Sequence, residues 1–186
     1  MKQLLSVISI VLISFVGKSQ NISYTSIYDL QYVSAADLAN CNDTSSYYGD
    51  TVMTYGIVVV PGDVSEVASG SVQGGHRPFI FIVDTVGNGT PGPFRGIEIM
   101  GVYTNNQGQL LPLPNIEYLL PGDLIKFTGT LSDYNNGTQI EALNGNSLQV
   151  IGTRSTPSPS QISIGDLNDD LLSLIHISEP TRLGFI

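Results

Sequence analysis

Six side chains in the middle of the chain are of types that hold a flat or extended ligand: Arg77, Phe79, Phe81, Arg95, Tyr103 and Tyr134. Phe79 and Phe81 are two positions apart, so on a strand they share one face. Arg77 and Arg95 flank the same region, with His76 and Phe94 beside them. Aromatic rings interleaved with Arg can stack the bases of single-stranded nucleic acid, and equally can hold sugars or an extended peptide. A plainer reading competes with this one. Alternating large apolar residues are also what the inside of a small β-barrel needs, and on that reading Phe79 and Phe81 are core.

Covalent and metal chemistry find little support. The chain has no G-x-x-x-x-G-K phosphate loop, no H-E-x-x-H and no G-x-S-x-G. His76 reads as a solvated loop residue, since nothing in the pattern supplies the rest of a nucleophilic triad. Asp166, Asn168 and Asp170 have the D-x-N-x-D spacing of a calcium loop, but the expected downstream Gly and Glu are missing, so an acidic turn is the simpler account. A single cysteine, Cys41, excludes an intramolecular disulfide and a Cys-built zinc site. The expectation is therefore no catalytic residue, no metal and no cofactor.

Both ends of the chain need separate treatment. Met1 to Ser19 has a basic start at Lys2, an apolar run from Leu4 to Val16, and the small residues Gly17 and Ser19 at a cleavage position. That is the pattern of a secretory signal peptide. The run is shorter than the roughly 20 apolar residues a spanning helix requires, so no stable membrane insertion is expected once it is removed. At the other end, Leu172 to Arg182 (LSLIHISEPTR) resembles a translated sequencing adapter at all 11 positions. Residues 172–186 are accordingly expected to be an artefactual tail, and the natural chain to continue past Leu171 into further domains. Between the ends, residues 20–171 hold four cations (Arg77, Arg95, Lys126, Arg154) and 15 carboxylates, a net charge of −11 against −9 for the whole chain. Such a field repels polyphosphates and argues against a general, salt-driven nucleic-acid binder.

The body of the chain reads as β throughout. Thr51 to Val60, Phe79 to Asp84, Gly96 to Tyr103, Leu124 to Leu131 and Thr138 to Leu143 are rich in Val, Ile, Thr and aromatic residues. Pro61-Gly62, Pro91-Gly92-Pro93, Pro121-Gly122 and Asn135-Asn136-Gly137 punctuate them as turns. Ser147 to Ile151 continues the last strand after a kink at Asn144-Gly145. No sustained helical period is present, and Thr104 to Leu120 is a long connection with at most one helical turn near Glu117 to Leu120. Gly56 and Gly129 lie inside good strands, where Gly needs a bulge, a bend or a close approach to justify it. Five strands with the longest connection between the third and fourth favour an all-β, five-stranded OB-like Greek-key barrel over residues 20–152. An immunoglobulin-like sandwich would want seven strands. Residues 153–171, with the Pro/Ser segment Thr153 to Ser160, read as a linker.

Three blocks carry a resemblance: Ser26-Ile27-Tyr28-Asp29-Leu30-Gln31-Tyr32, then Tyr48-Gly49-Asp50-Thr51-Val52 with Gly56-Ile57-Val58, then Pro121 to Thr130 followed by Tyr134-Asn135 and Thr138-Gln139-Ile140. Together they resemble OB-fold domains of secreted bacterial proteins, found beside extracellular nucleases and in multidomain proteins exported by type IX secretion. Phe79 to Asp84 departs from that family at a position where Gln is usual. The resemblance implies no catalytic residue, because the shared motifs are structural. It implies a secreted or cell-surface, non-catalytic binding or spacer module at the N-terminus of a larger protein. The alternatives are an accessory single-stranded nucleic-acid-binding domain of an extracellular nuclease and a carbohydrate-binding module. The partner is correspondingly a protein, a glycan or single-stranded nucleic acid.

Overall fold

A computed structural model describes residues 22–68, 75–85, 94–134 and 137–159. The signal-like residues 1–19, the turn residues Asn135 and Asn136, most of the linker-like residues 153–171 and the adapter-like tail lie outside the described residues.

Eight strands are present: β1 Thr51–Val60, β2 Glu66–Ala68, β3 His76–Asp84, β4 Gly96–Thr104, β5 Leu110–Pro112, β6 Asp123–Tyr134, β7 Gly137–Ala142 and β8 Leu148–Thr153. The expected count of five is thus corrected to eight among the described residues. The five expected strands are β1, β3, β4, β6 and β7. Short β2 and β5 add to the exposed ends of β3 and β4. At three residues each they are too brief to carry a hydrophobic period of their own. β8 pairs with β6 along the edge that β7 occupies further on, so the chain does carry on past the kink at Asn144-Gly145.

Pairing runs in a circuit. β1 pairs antiparallel with β3, β3 with β4, β6 with β7 and β6 with β1. The remaining link, β4 with β7, is parallel and places Glu98 opposite Gln139. A Greek-key sheet with this connectivity is OB-like.

The inward positions are apolar and almost fully buried, among them Ile80, Ile82, Ile97, Ile99, Ile125 and Phe127. Two plugs close off this core. At the end where β3 finishes and β4 begins lies helix α1, Ile27–Gln31, which inserts Ile27 and Leu30. Its Tyr28 backbone N–H donates to Asp84, and the Gln31 amide donates to the Gly96 carbonyl at 2.6 Å. At the opposite end, a 3-10 turn over Ile116–Tyr118 supplies Ile116, with Leu113 and Leu119 flanking it. α1 and the following helix α2, Ala35–Ala39, correct the expectation of a helix-free N-terminal segment. Each is started by a serine whose hydroxyl accepts from the backbone N–H three residues on, Ser26 from Asp29 and Ser34 from Asp37. That cap satisfies one of the otherwise orphaned N–H groups.

The two in-strand glycines are explained by crowding. A Cβ on Gly56 would lie 2.5 Å from Cδ1 of Ile82, and one on Gly129 would collide with the Glu141 carbonyl oxygen. The register shift in β1 falls later, between Val58 and Val60. His76 is likewise corrected from a loop residue to the first residue of β3. Its Nε2 lies 3.2 Å from Glu117 and its Nδ1 3.8 Å from Glu66, so it links β3 to the 3-10 turn and to β2.

Candidate ligand-binding surface

Strand alternation in β3 puts Pro78, Ile80, Ile82 and Asp84 inside, and Arg77, Phe79, Phe81 and Val83 on the outer face. Phe79 and Phe81 are therefore not core, which overturns the plainer reading. Their rings meet edge to face with centroids 5.7 Å apart and planes at 88°, a favourable quadrupole arrangement. Phe79 also packs on Met100 and Val102 of β4 and near Leu110 of β5, a second apolar cluster outside the main core. Met100 and Val102 are themselves buried, so the outer face of β3, β4 and β5 presents the half-buried Phe79, Phe81 and Leu110 as a narrow apolar strip.

Polar groups border the strip. Glu98 stands opposite Phe81 on one side and Gln139 on the other. Burial raises its carboxyl above the usual value, and the Arg77 charge pulls part of the way back. Gln139 is buried and donates from its amide to Glu141 at 2.9 Å and to the Ser132 hydroxyl at 3.1 Å. Ser132 in turn donates to Glu141 at 3.0 Å.

Between Met100 and Tyr103 the β4–β7 register jumps, with three steps on β4 matched by one on β7. An open cavity of about 300 Å³ lies there, lined by Arg77, Val102, Tyr103, Leu110, Thr130 and Glu141 among others. The Arg77 Nε–H is buried with no hydrogen-bond partner among the described residues. An orphaned buried donor is costly, and here it stands at the wall of a cavity.

The six nominated residues fall into separate places. Arg77, Phe79, Phe81 and Tyr103 belong to the strip and its cavity. Arg95 is at the other end of the hairpin, level with Asp84, whose N–H donates to the Arg95 carbonyl. From Arg77 to Asp84 is seven strand steps, up to roughly 23 Å, so Arg77 and Arg95 do not make one rim. Tyr134 ends β6 and is exposed. By register it is level with the start of β4, and so with Arg95 instead of Arg77.

A second aromatic group surrounds Arg95. The Tyr28 and Tyr32 rings lie 5.6 Å apart at 23°. Phe94 meets both nearly edge-on, at 6.0 and 5.7 Å. The Arg95 guanidinium carbon sits 5.8 Å from the Tyr28 ring centre, within cation–π range. Close by on the chain, Tyr24 packs on Tyr55 at 5.4 Å, and its phenol is pushed above the usual value by burial and by the nearby Asp84 charge. Tyr28 and Tyr32 went unrecognised as site residues in the sequence. Their signal was an i, i+4 aromatic pair whose first member lies inside a Ser-x-x-Asp cap.

The fold and these surfaces define an OB-like β domain with an apolar outer strip and a separate aromatic corner. No protein-family model matches the chain, and no curated protein matches it. Among solved structures it is similar to the second OB-fold domain of replication protein A from Methanococcus maripaludis, at 12% identity and a TM-score of 0.32, covering 56% of this chain and 86% of that one. It is also similar to an OBody bound to hen egg-white lysozyme, at 13% and 0.33, covering 59% and 87%. A third likeness is to the OB domain of Ta0387 from Thermoplasma acidophilum, at 12% and 0.30, covering 60% and 82%. The strand connectivity, not these distant likenesses, carries the OB-like assignment. Among the described residues, no helix is long and apolar enough to cross a membrane and no cluster of ligating side chains could hold a metal ion.

Proposed function

We propose that the chain is a non-catalytic OB-like binding module of a larger exported protein, and that it takes an extended polypeptide along the outer face of β3 and β4. The observation that carries this reading is the outward placement of the half-buried Phe79 and Phe81, with Leu110 beside them and the buried Met100 and Val102 supporting Phe79. An apolar strip on a sheet face suits alternate side chains of an extended segment. The local charges favour a polypeptide over a polyphosphate. Arg77 is one cation beside two carboxylates, Glu98 and Glu141, in a chain of net charge −9. Export rests on the signal-like pattern of Met1 to Ser19.

The test is selection of random peptides displayed on phage against the full chain, with Phe79→Ser/Phe81→Ser as the counter-screen. Peptides with apolar residues at alternate positions are the expected winners, and the double variant weakens them at least about tenfold, or 1.4 kcal/mol. Failure to enrich any peptide, together with tight binding of oligo-dT, refutes the polypeptide reading in favour of single-stranded nucleic acid.

A further inference from the structure

The cavity at the β4–β7 register jump adjoins the apolar strip, and its charges are arranged in an unfinished way. Arg77 and Glu141 both line it, yet no ion pair joins them; among the described residues the ion pairs are those of His76. Nor does anything else engage Arg77. Its guanidinium has no hydrogen-bond acceptor among the described residues, and its Nε–H is sealed in the wall. A half-buried guanidinium left without an acceptor is costly. Glu141 is held in place from the far side, where its Oε1 accepts from the Ser132 hydroxyl and the Gln139 amide. Both bonds end on one oxygen, so the carboxylate keeps its charge and spare acceptor capacity on Oε2. Val102, Leu110, Ala142 and Leu143 complete an apolar lining.

We infer that this cavity takes the carboxamide side chain of a glutamine or asparagine in the bound polypeptide, its carbonyl oxygen accepting from Arg77 and its amino group donating to Glu141. The site rests on the polypeptide reading above and gives it a specificity. An acidic side chain would meet the Glu141 carboxylate, and Glu98 close to Arg77. A basic one would meet Arg77. A hydroxyl is neutral but offers donor and acceptor from a single atom, which cannot span two groups standing too far apart to pair. A carboxamide carries acceptor and donor on different atoms, and its methylene stem suits the apolar lining. Strand geometry fixes the spacing. Arg77 is on the outer face of β3, two residues before Phe79 and four before Phe81. Side chains on one face of an extended ligand recur at the same repeat, so the carboxamide falls two residues from one apolar side chain and four from the next.

Fluorescence anisotropy of labelled, end-blocked peptides with the full chain tests this. The peptides are Gln-Thr-Leu-Thr-Leu and Leu-Thr-Leu-Thr-Gln, covering both ligand directions, each also made with Asn, Glu, Lys or Leu in place of Gln. In one of the two series Gln or Asn is expected to bind about tenfold more tightly than Glu, Lys or Leu. Arg77→Gln abolishes the advantage over Lys, and Glu141→Gln abolishes the advantage over Glu. A merely structural role for either residue would weaken all five peptides alike. Phe79→Ser/Phe81→Ser weakens every peptide and leaves their rank order unchanged. A flat ranking in both series, or Glu or Lys in first place, overturns the carboxamide site and leaves the polypeptide reading standing. If none of these peptides binds, the sequences enriched on phage decide. A consensus without Gln or Asn two residues from the apolar pair overturns the carboxamide site alone, and failure to enrich any peptide removes both.

Discussion

Replacing Gly129 by Ala adds one methyl group at the most crowded point of the β6–β7 seam. The new Cβ would collide with the Glu141 carbonyl oxygen and lie 2.6 Å from Cγ2 of Ile140. Comfortable carbon–carbon separations are about 3.5–4.0 Å, so something must move by about an ångström. The carbonyl belongs to paired backbone, with Gly129 facing Ala142 and Thr130 facing Glu141, and it cannot swing aside as a side-chain tip could. Overpacking costs roughly 1–3 kcal/mol, and a backbone clash belongs at the upper end. Stiffening of the unfolded chain returns about 0.4–1 kcal/mol. The net loss is about 2 kcal/mol, which for a domain of this size lowers the melting temperature by roughly 6–10 °C. Gly152→Ala is the matched control. It adds the same methyl in β8 where nothing lies within 4 Å, and is expected to leave the melting temperature level or raise it slightly. Thermal melts followed by far-ultraviolet circular dichroism read both. A Gly129→Ala protein melting within about 2 °C of wild type would refute the crowding account, as would equal damage from Gly152→Ala.

Two further outcomes follow from the sheet's two faces. Ile82→Ala empties a fully buried site and is expected to cost about 2–5 kcal/mol in urea unfolding. Phe81→Ala, on the outer face, should cost clearly less despite the larger side chain removed; the reverse order would put Phe81 inside. Burial raises the Glu98 carboxyl, so the folded state binds its proton more readily than the unfolded chain does. Its contribution to stability is therefore lost as pH rises from the unfolded value through the folded one. Glu98→Gln is expected to stabilise the protein at neutral pH, with the advantage vanishing in acid; lower stability than wild type at pH 7 would show that the attraction of Arg77 outweighs burial.

Much of the sheet was legible because the strands alternate between turn-forming residues. β1 spans Thr51–Val60 as the sequence suggests, and β7 differs from its expected bounds by one residue at each end. α1 and α2 were not legible as periods, since five residues make barely more than a turn. Their Ser-x-x-Asp caps were visible, but what holds α1 in place is tertiary, the burial of Ile27 and Leu30. The face taken by Phe79 and Phe81 could not be read either. From Phe79 to Val83 every residue of β3 is apolar, and alternation assigns faces only when the two faces differ in polarity. Tyr28, Tyr32 and Phe94 are brought together by α1 docking on the β3–β4 hairpin, a contact between segments more than 60 residues apart, as Gln31 to Gly96 shows.

The circuit of pairings also dictates when the domain can finish folding. β1 waits for its second neighbour until β6 has been made, since Thr51 faces Thr130 across 79 positions. Closing so long a loop before any contact repays it makes for slow assembly. Throughout that interval β1, ten residues of Val, Ile, Thr, Met and Tyr around a single Gly, offers an unprotected edge to other chains. The hazard of this fold lies in its nascent state, and a chaperone would meet the domain at that stage.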